Sequence, residues 1–385
     1  MTLAFVASLA LSQAAIGAEN FQSAAPEALL IDYDSGATLY EKSADAPFPP
    51  AALVKLLTAE IVFNEIKAGR LTLDKTFTVS EHAWRTGGAH AHATAMFVDI
   101  HSQVAVEDLL RGLIVQSGND AAITLAEGVS GSEDAFADLM NKRAAELALL
   151  HSYFVDPAGR DDPRQHVTAR DMALLAAHII RDEPDFYHYF GEKDFTWNKI
   201  HQGNRNPLLA EVGGADGLKT GEDAAGGFSL VGSAVEDGQR LIVVVAGLKS
   251  AADRAEEGRK LLEWGFRSFE PRVLYHPGAV VGSASVYGGE DGDVPLVCDK
   301  EIKVFLARGD PERLTAKIVY MGPLTAPVAA GAQVGTLRIW RGGELALEAP
   351  LQTQSSVAVG GLAKRAFDAG IEFAGGLVRG AMTKK

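Results

Sequence analysis

The sequence holds a single cysteine, Cys298, among 385 residues. That excludes an internal disulfide and any thiolate metal cluster. A lone cysteine of this kind reads as a small core residue. Positive charge is also in short supply: 36 Lys and Arg stand against 50 Asp and Glu, a net charge of −14. Such a surface repels nucleic acid, which is not expected as a partner. Internal repeats and low-complexity tracts are missing. His90 and His92 sit two residues apart with no convergent third ligand, so neither a metal nor any other cofactor is expected.

What remains is an ordinary globular composition, 47% hydrophobic and 22% charged, long enough for two or three domains and a large core. Residues 1–18, "MTLAFVASLALSQAAIGA", are apolar and uncharged, too short for a comfortable transmembrane helix. They end in small residues and fit a signal peptide, though the basic n-region is missing. An N-terminal core helix is the other reading. Export would place the protein in the periplasm or on the outer face of the cytoplasmic membrane.

Glu27–Asp45 carries two apolar runs split by Asp34-Ser35-Gly36, a hairpin signal. Three prolines, Pro47, Pro49 and Pro50, precede a helix expected from Ala52 to Ala68, with Leu53, Leu56, Leu57, Ile61 and Ile66 as its apolar stripe. Val106–Val129 reads as two helices broken at Ser117-Gly118-Asn119. Two more helices follow, then a hairpin over Gly227–Leu248 turning at Glu236-Asp237-Gly238, then a last helix. This order predicts an α+β domain, 24–270, whose terminal segments share one antiparallel sheet. Beyond Pro271, alternating apolar and polar residues predict a small all-β, sandwich-like domain over 272–355. The tail, 358–385, has apolar residues near one face and basic ones elsewhere. It is expected either to lie on a membrane surface or to pack on its own protein.

Three short motifs stand out: Ala52-Leu53-Val54-Lys55, Ser117-Gly118-Asn119 and Lys219-Thr220-Gly221. Each is weak alone. Ser117-Gly118-Asn119 also suits a helix cap, and Lys219 or Arg254 could be plain surface charges. In this order the three resemble the S-x-x-K, S-x-N and K-T-G set of penicillin-binding proteins and serine β-lactamases. "SGNDAAITLAEG", "HVTARDMALLA", "FTWNKIHQGNRNPLL" and "DGLKTG" sharpen the likeness toward low-molecular-mass D-alanyl-D-alanine carboxypeptidases, strongly over 28–270 and loosely over 272–385.

That resemblance implies a catalytic domain of penicillin-binding-protein type, a β-domain and an amphipathic tail. It implies peptidoglycan stem peptides as substrate and β-lactams as inhibitors. A hydroxyl at position 52 would attack the D-Ala-D-Ala carbonyl, with Lys55 one helical turn on as base. Ser117 would relay the proton to the leaving amine, and Asn119 would hold substrate and Lys55 in register. The backbone N–H groups of residues 52 and 222 would form the oxyanion hole. Thr220 and Arg254 would bind the substrate's terminal carboxylate, Lys219 and Gly221 would also contact substrate, and the Lys219 charge would help to lower the Lys55 pKa.

The departure is Ala52, where the resemblance requires serine. No serine in the chain is followed three residues later by lysine. Thr72–Lys75 and Thr196–Lys199 have the spacing but not the landmark. A methyl group forms no acyl-enzyme, so this chain is expected to bind without turnover. Two explanations stand: a serine-enzyme scaffold altered at one residue, or a natural peptidoglycan-binding pseudo-enzyme. Glu222-Asp223 favours the second, because the resemblance puts His or Tyr and then Thr there. A serine β-lactamase is a third reading, weakened by Gly118 in the middle motif.

Overall fold

The computed structural model describes residues 21–307, 314–341, 344–362 and 364–366. The proposed leader, 1–18, and most of the proposed tail lie outside them. Two compact units are present, divided between Arg267 and Ser268.

The first unit begins with strands β1 (Glu27–Asp32) and β2 (Thr38–Lys42). A 3₁₀ turn over Ala51–Val54 leads into α1 (Lys55–Lys67). A short pair, β3 (Thr76–Thr78) and β4 (Gln103–Ala105), precedes helices α2 (Val106–Arg111), α3 (Asn119–Ser130), α4 (Glu133–Glu146), α5 (Ala169–Asp182) and α6 (Pro184–Gly191). After β5 (Asp194–Trp197), β6 (Ile200–Gly203) and the short α7 (Leu208–Glu211) come β7 (Ala215–Asp223), β8 (Gly227–Glu236) and β9 (Gln239–Leu248), then α8 (Ala251–Ser268).

Local chemistry sets several boundaries. Ser132 caps α4 and Thr168 caps α5, each hydroxyl accepting an N–H three residues on. The β8–β9 hairpin turns at Asp237-Gly238, both left-handed with φ +50° and +78°, as a type I′ turn requires. The antiparallel sheet runs β2-β1-β9-β8-β7, so the first strands pair with the last, as expected. Alternation divides its faces: Leu29, Ile31, Ile242 and Val244 join the main core with α1 and α5, while Leu30 and Leu241 lie against Gly265 of α8.

α1 is not the one-sided helix its stripe suggested. Every residue from Lys55 to Phe63 is buried, so it runs through the middle of the unit. Its one core carboxylate, Glu60, is fully buried and accepts from Arg143, with Nη2 2.6 Å away, and lies 3.0 Å from His178 Nε2. Removing one partner of such a pair costs about 3–5 kcal/mol, whereas an apolar replacement of both is often nearly neutral. Arg143→Ala is therefore expected to lose about that much in urea unfolding, and Glu60→Leu/Arg143→Met distinctly less.

The second unit contains β10 (Phe269–Tyr275), β11 (Val280–Tyr287), β12 (Asp293–Val297), β13 (Ile302–Ala307), β14 (Leu314–Tyr320), β15 (Leu324–Thr325), β16 (Gln333–Arg341) and β17 (Glu344–Thr353). Its main sheet runs β14-β16-β17-β12-β11-β15, and β10 pairs with β13. Alternate strand residues fill its own core, where Cys298 is buried. Among the described residues no helix is long and apolar enough to cross a membrane.

Candidate active site

Position 52 lies where the chain enters the buried helix. Ala51 adopts φ +46°, a left-handed conformation that a non-glycine residue holds at a cost of about 1–3 kcal/mol and that clusters at functional sites. Ala51, Leu53 and Val54 are buried, but Ala52 is partly exposed. Two glycines let other segments approach this turn. A Cβ on Gly159 would lie 1.9 Å from the Ala51 carbonyl oxygen, and one on Gly221 would lie 2.9 Å from that of Pro50. The 3₁₀ turn is thus clasped between the 156–160 loop and strand β7.

Lys55 follows one turn later and is 1% exposed. Its Nζ donates to Asn119 Oδ1 at 2.7 Å and to the Ala158 carbonyl. Burial drives its pKa down to about 7, helped by Arg205 and Arg160 and opposed by Asp156 and Asp120. An amine in this environment is poised to gain or lose a proton near neutrality.

Ser117 follows the π turn that ends at Gln116, and Asn119 opens helix α3. Ser117 is buried and left-handed, with φ +67°. Asn119 N–H donates to the Thr94 carbonyl at 2.7 Å. The anchor is Asp120, fully buried, whose carboxylate accepts N–H bonds from Met96, Phe97, Val98 and Ala121. Gly118 has φ −60°, so its backbone does not need glycine. Space does: a Cβ there would meet Asp120 Oδ1 at 2.7 Å and Met96 N at 2.9 Å. An aspartate in the middle motif, the mark of the β-lactamase reading, does not fit this turn. Even Gly118→Ala is expected to cost about 1–3 kcal/mol by overpacking, measured as a lowered unfolding midpoint.

Among the described residues β7 is an edge strand, paired only with β8. Lys219 and Thr220 on it are buried. Burial lowers the Lys219 pKa well below its ordinary value, and the nearby cations Lys55, Arg205 and Arg254 lower it further. Arg254, 8% exposed, donates to the Gly221 carbonyl at 3.4 Å, and its Nε has no partner among the described residues. Its ring neighbour is Phe228, 5.7 Å from the guanidinium carbon. Asp223 turns its carboxylate onto the N–H groups of Ala225 and Gly226, at 2.7 and 2.8 Å. Glu222 is exposed, and its charge acts on Arg254. The three motifs are therefore gathered around one place, the start of α1.

Comparison with known proteins agrees with this geometry. The profile of the peptidase S11 family, described as D-alanyl-D-alanine carboxypeptidase, matches residues 13–250. That of the penicillin-binding protein 5 C-terminal domain matches 269–359. The chain belongs to the D-alanyl-D-alanine carboxypeptidase family. It is 41% identical to D-alanyl-D-alanine carboxypeptidase DacC of Escherichia coli (strain K12) over 88% of this chain and 86% of that one. Penicillin-binding protein 5 from Haemophilus influenzae superposes with a TM-score of 0.80 at 38% identity, over 89% of this chain and all of that one. Penicillin-binding protein D2 from Listeria monocytogenes, solved in its ampicillin-bound form, matches at a TM-score of 0.56 and 29% identity, over 64% of this chain and all of that one.

For this carboxypeptidase family member, motif reading overlooked three contributors. Arg205 is exposed yet acts electrostatically on Lys55, Lys219 and Arg254 together, held by its Nε bond to the Gln116 carbonyl at 2.8 Å. It lies inside the "HQGNRNPLL" landmark, the only signal that could have found it. Asp120 and the Ala158 carbonyl carried none: one is a buried anchor, the other a backbone atom. His90 and His92 are exposed, and His90 lies against Trp84 with ring centres 3.9 Å apart and planes inclined by 45°.

Proposed function

We propose that this chain is the scaffold of a serine-type D-Ala-D-Ala carboxypeptidase that binds the D-Ala-D-Ala end of peptidoglycan stem peptides without turning them over. The observation that carries the reading is the Lys55 amine, buried and held by Asn119 and Ala158, one turn from a partly exposed methyl group at Ala52. With serine at 52, its hydroxyl would attack the penultimate D-Ala carbonyl while Lys55 takes the proton. The N–H groups of residues 52 and 222 would face the oxyanion. Collapse of the tetrahedral intermediate would expel D-Ala, its amine receiving a proton through Ser117, and water would then hydrolyse the ester.

An incoming peptide terminus fits the free edge of β7 as an added strand. Lys219 and Arg254 at one end supply the positive field for its carboxylate, and the Thr220 hydroxyl a hydrogen-bond donor. Substrate and penicillin binding at this edge, action in the periplasm after export, and membrane contact through 358–385 all belong to this proposal. So do the roles given to Ala52, Lys55, Ser117, Asn119, Lys219, Thr220, Gly221, Glu222 and Arg254.

The test is gel labelling with a fluorescent penicillin. The chain as it stands should take up no covalent label, and Ala52→Ser should label. A covalent adduct on the unaltered chain would overturn the reading. The pseudo-enzyme alternative draws on Glu222 beside Arg254, and it is favoured if Ala52→Ser remains silent in both labelling and D-Ala release.

A further inference from the structure

The loop that clasps the start of α1 is itself built around one carboxylate. Asp156 is 4% exposed. Its Oδ1 accepts N–H bonds from Ala158 at 2.8 Å, Gly159 at 2.9 Å and Arg160 at 3.4 Å, and its Oδ2 accepts from Arg160 at 3.1 Å. Gln165 closes the turn from behind, donating to Asp156 Oδ2 at 3.4 Å and the Arg160 carbonyl at 3.2 Å, and accepting from Val155 N–H at 2.9 Å. Folded this way, the loop turns two successive carbonyls toward α1: Pro157 accepts from Thr58 Oγ1 at 2.8 Å, and Ala158 accepts from Lys55.

Proton counting gives the Ala158 carbonyl its importance. A neutral lysine amine has two N–H donors and one lone pair. The Ala158 carbonyl can only accept, and so can Asn119 Oδ1. Satisfying both uses both N–H groups and fixes the direction of the lone pair. With only one acceptor, the amine would rotate and the lone pair would point at random. Arg160 completes the assembly from outside. Its Nη2 donates to Glu133 Oε2 at 2.7 Å, and its Nε lies 3.6 Å from Asp156 Oδ1. Glu133 in turn is 2.6 Å from His82 Nε2.

We infer that Asp156 is the positioning residue for Lys55: its buried carboxylate folds 156–160 into the turn that offers the Ala158 carbonyl to the amine. Asp156 touches no reacting atom and acts through that carbonyl and through its charge. The inference rests on the reading of Lys55 as the base. Asp156, Asp120, Arg160, Arg205 and Lys219 are the charged groups that act on this amine.

The test separates charge from shape. Asp156→Asn keeps Oδ1 as an acceptor for the three N–H groups and removes the anion, losing only the Oδ2 contacts with Arg160 N–H and Gln165 Nε2. Asp156→Ala removes both. Lys55 is followed through its ¹⁵Nζ and ¹³Cε resonances in the chain as it stands, so the readout needs no enzymatic activity. Asp156→Asn should move the Lys55 titration midpoint to lower pH, because an anion that favours the ammonium is gone. Arg160→Gln, which removes a cation acting on the same amine, should move it to higher pH. In the Ala52→Ser background, Asp156→Ala should lower kcat on the order of 100-fold with KM little changed, the effect expected of a misplaced catalytic group. Asp156→Asn should retain most of that kcat at a pH above its shifted midpoint. Unchanged Lys55 midpoints in both charge variants would overturn the inference, as would equal kcat loss for Asn and Ala. If Ala52→Ser proves inactive, the carboxypeptidase reading fails, and the positioning role of Asp156 stands where the midpoints move as stated and Asp156→Ala perturbs the Lys55 ¹⁵Nζ and ¹³Cε resonances more than Asp156→Asn does.

Discussion

Ala52→Ser should form a covalent penicilloyl adduct and release D-Ala from a D-Ala-D-Ala-terminated peptide, at a rate roughly 10⁶-fold above that of the unaltered chain, the size of nucleophile removal in a serine hydrolase. The ground for expecting so large a gain from one oxygen atom is that the rest of the arrangement is already rigid. Ala51 is in its left-handed conformation without any hydroxyl to hold it there. Gly159 and Gly221 already make room for the turn. Lys55 already has its two acceptors. A serine side chain adds one hydroxyl to a partly exposed position and displaces no core packing, so stability should change by no more than about 0.5 kcal/mol. Mass spectrometry of the intact protein after incubation with benzylpenicillin is the direct check, with the unaltered chain as its control. A variant that stays unlabelled while remaining folded would mean that position 52 is not where the carbonyl arrives, or that Glu222 blocks the carboxylate end.

Glu222 is the residue that could make that second outcome real. It follows the Lys219-Thr220-Gly221 run and its charge acts on Arg254. Asp223, which looked equally threatening in the sequence, is spent on the turn at Ala225 and Gly226. The difference could not be read from two adjacent carboxylates. It depends on where a β-turn closes, and a side chain that caps its own turn is held there and not free to swing along the strand edge.

The same distinction runs through the whole comparison of sequence and structure. Hairpins, the strand order that joins the ends of the first unit, and helices α4 and α5 were all legible, because helical periodicity, the order of elements and the Asp-Gly turn are signals carried along the chain. The three motifs were legible because spacing along one helix or strand encodes them. What was not legible acts through space or through backbone atoms. Asp120 reads as an ordinary helix-start acid but holds the 96–98 segment by N–H bonds. Gly118 reads as a flexible turn residue, yet it is required because Asp120 lies 2.7 Å from where its Cβ would be. The Ala158 carbonyl has no side-chain signature at all. Helix α1 showed its stripe but not its burial on every side, since that depends on which elements close over it.

Lys55→Met in the Ala52→Ser background should lower the acylation rate by about 10²–10⁴-fold, the range for loss of a general base. Methionine keeps the apolar stem of the buried side chain and removes only the amine. Noncovalent affinity for the peptide should change far less, because Lys219, Arg205 and Arg254, which supply the carboxylate field, are all retained. The pH dependence tests the same group independently. Only the neutral amine can accept the serine proton, so acylation by Ala52→Ser should be suppressed below the Lys55 pKa of about 7 and rise as pH passes through it. Stability should follow the same titration with a definite sign. Between about 7 and the ordinary lysine value of 10.5, the unfolded chain binds a proton that folded Lys55 does not, so unfolding free energy increases with pH across that window. Below it, both states are protonated and the cost of burying the ammonium is fully present. Lys219 contributes a slope of the same sign and is itself shifted by Lys55, so the difference between the parent and its Lys55→Met variant reports Lys55 together with its effect on Lys219. A Lys55→Met variant that acylates at the parent rate, with the parent pH profile, would remove this lysine from the reaction altogether.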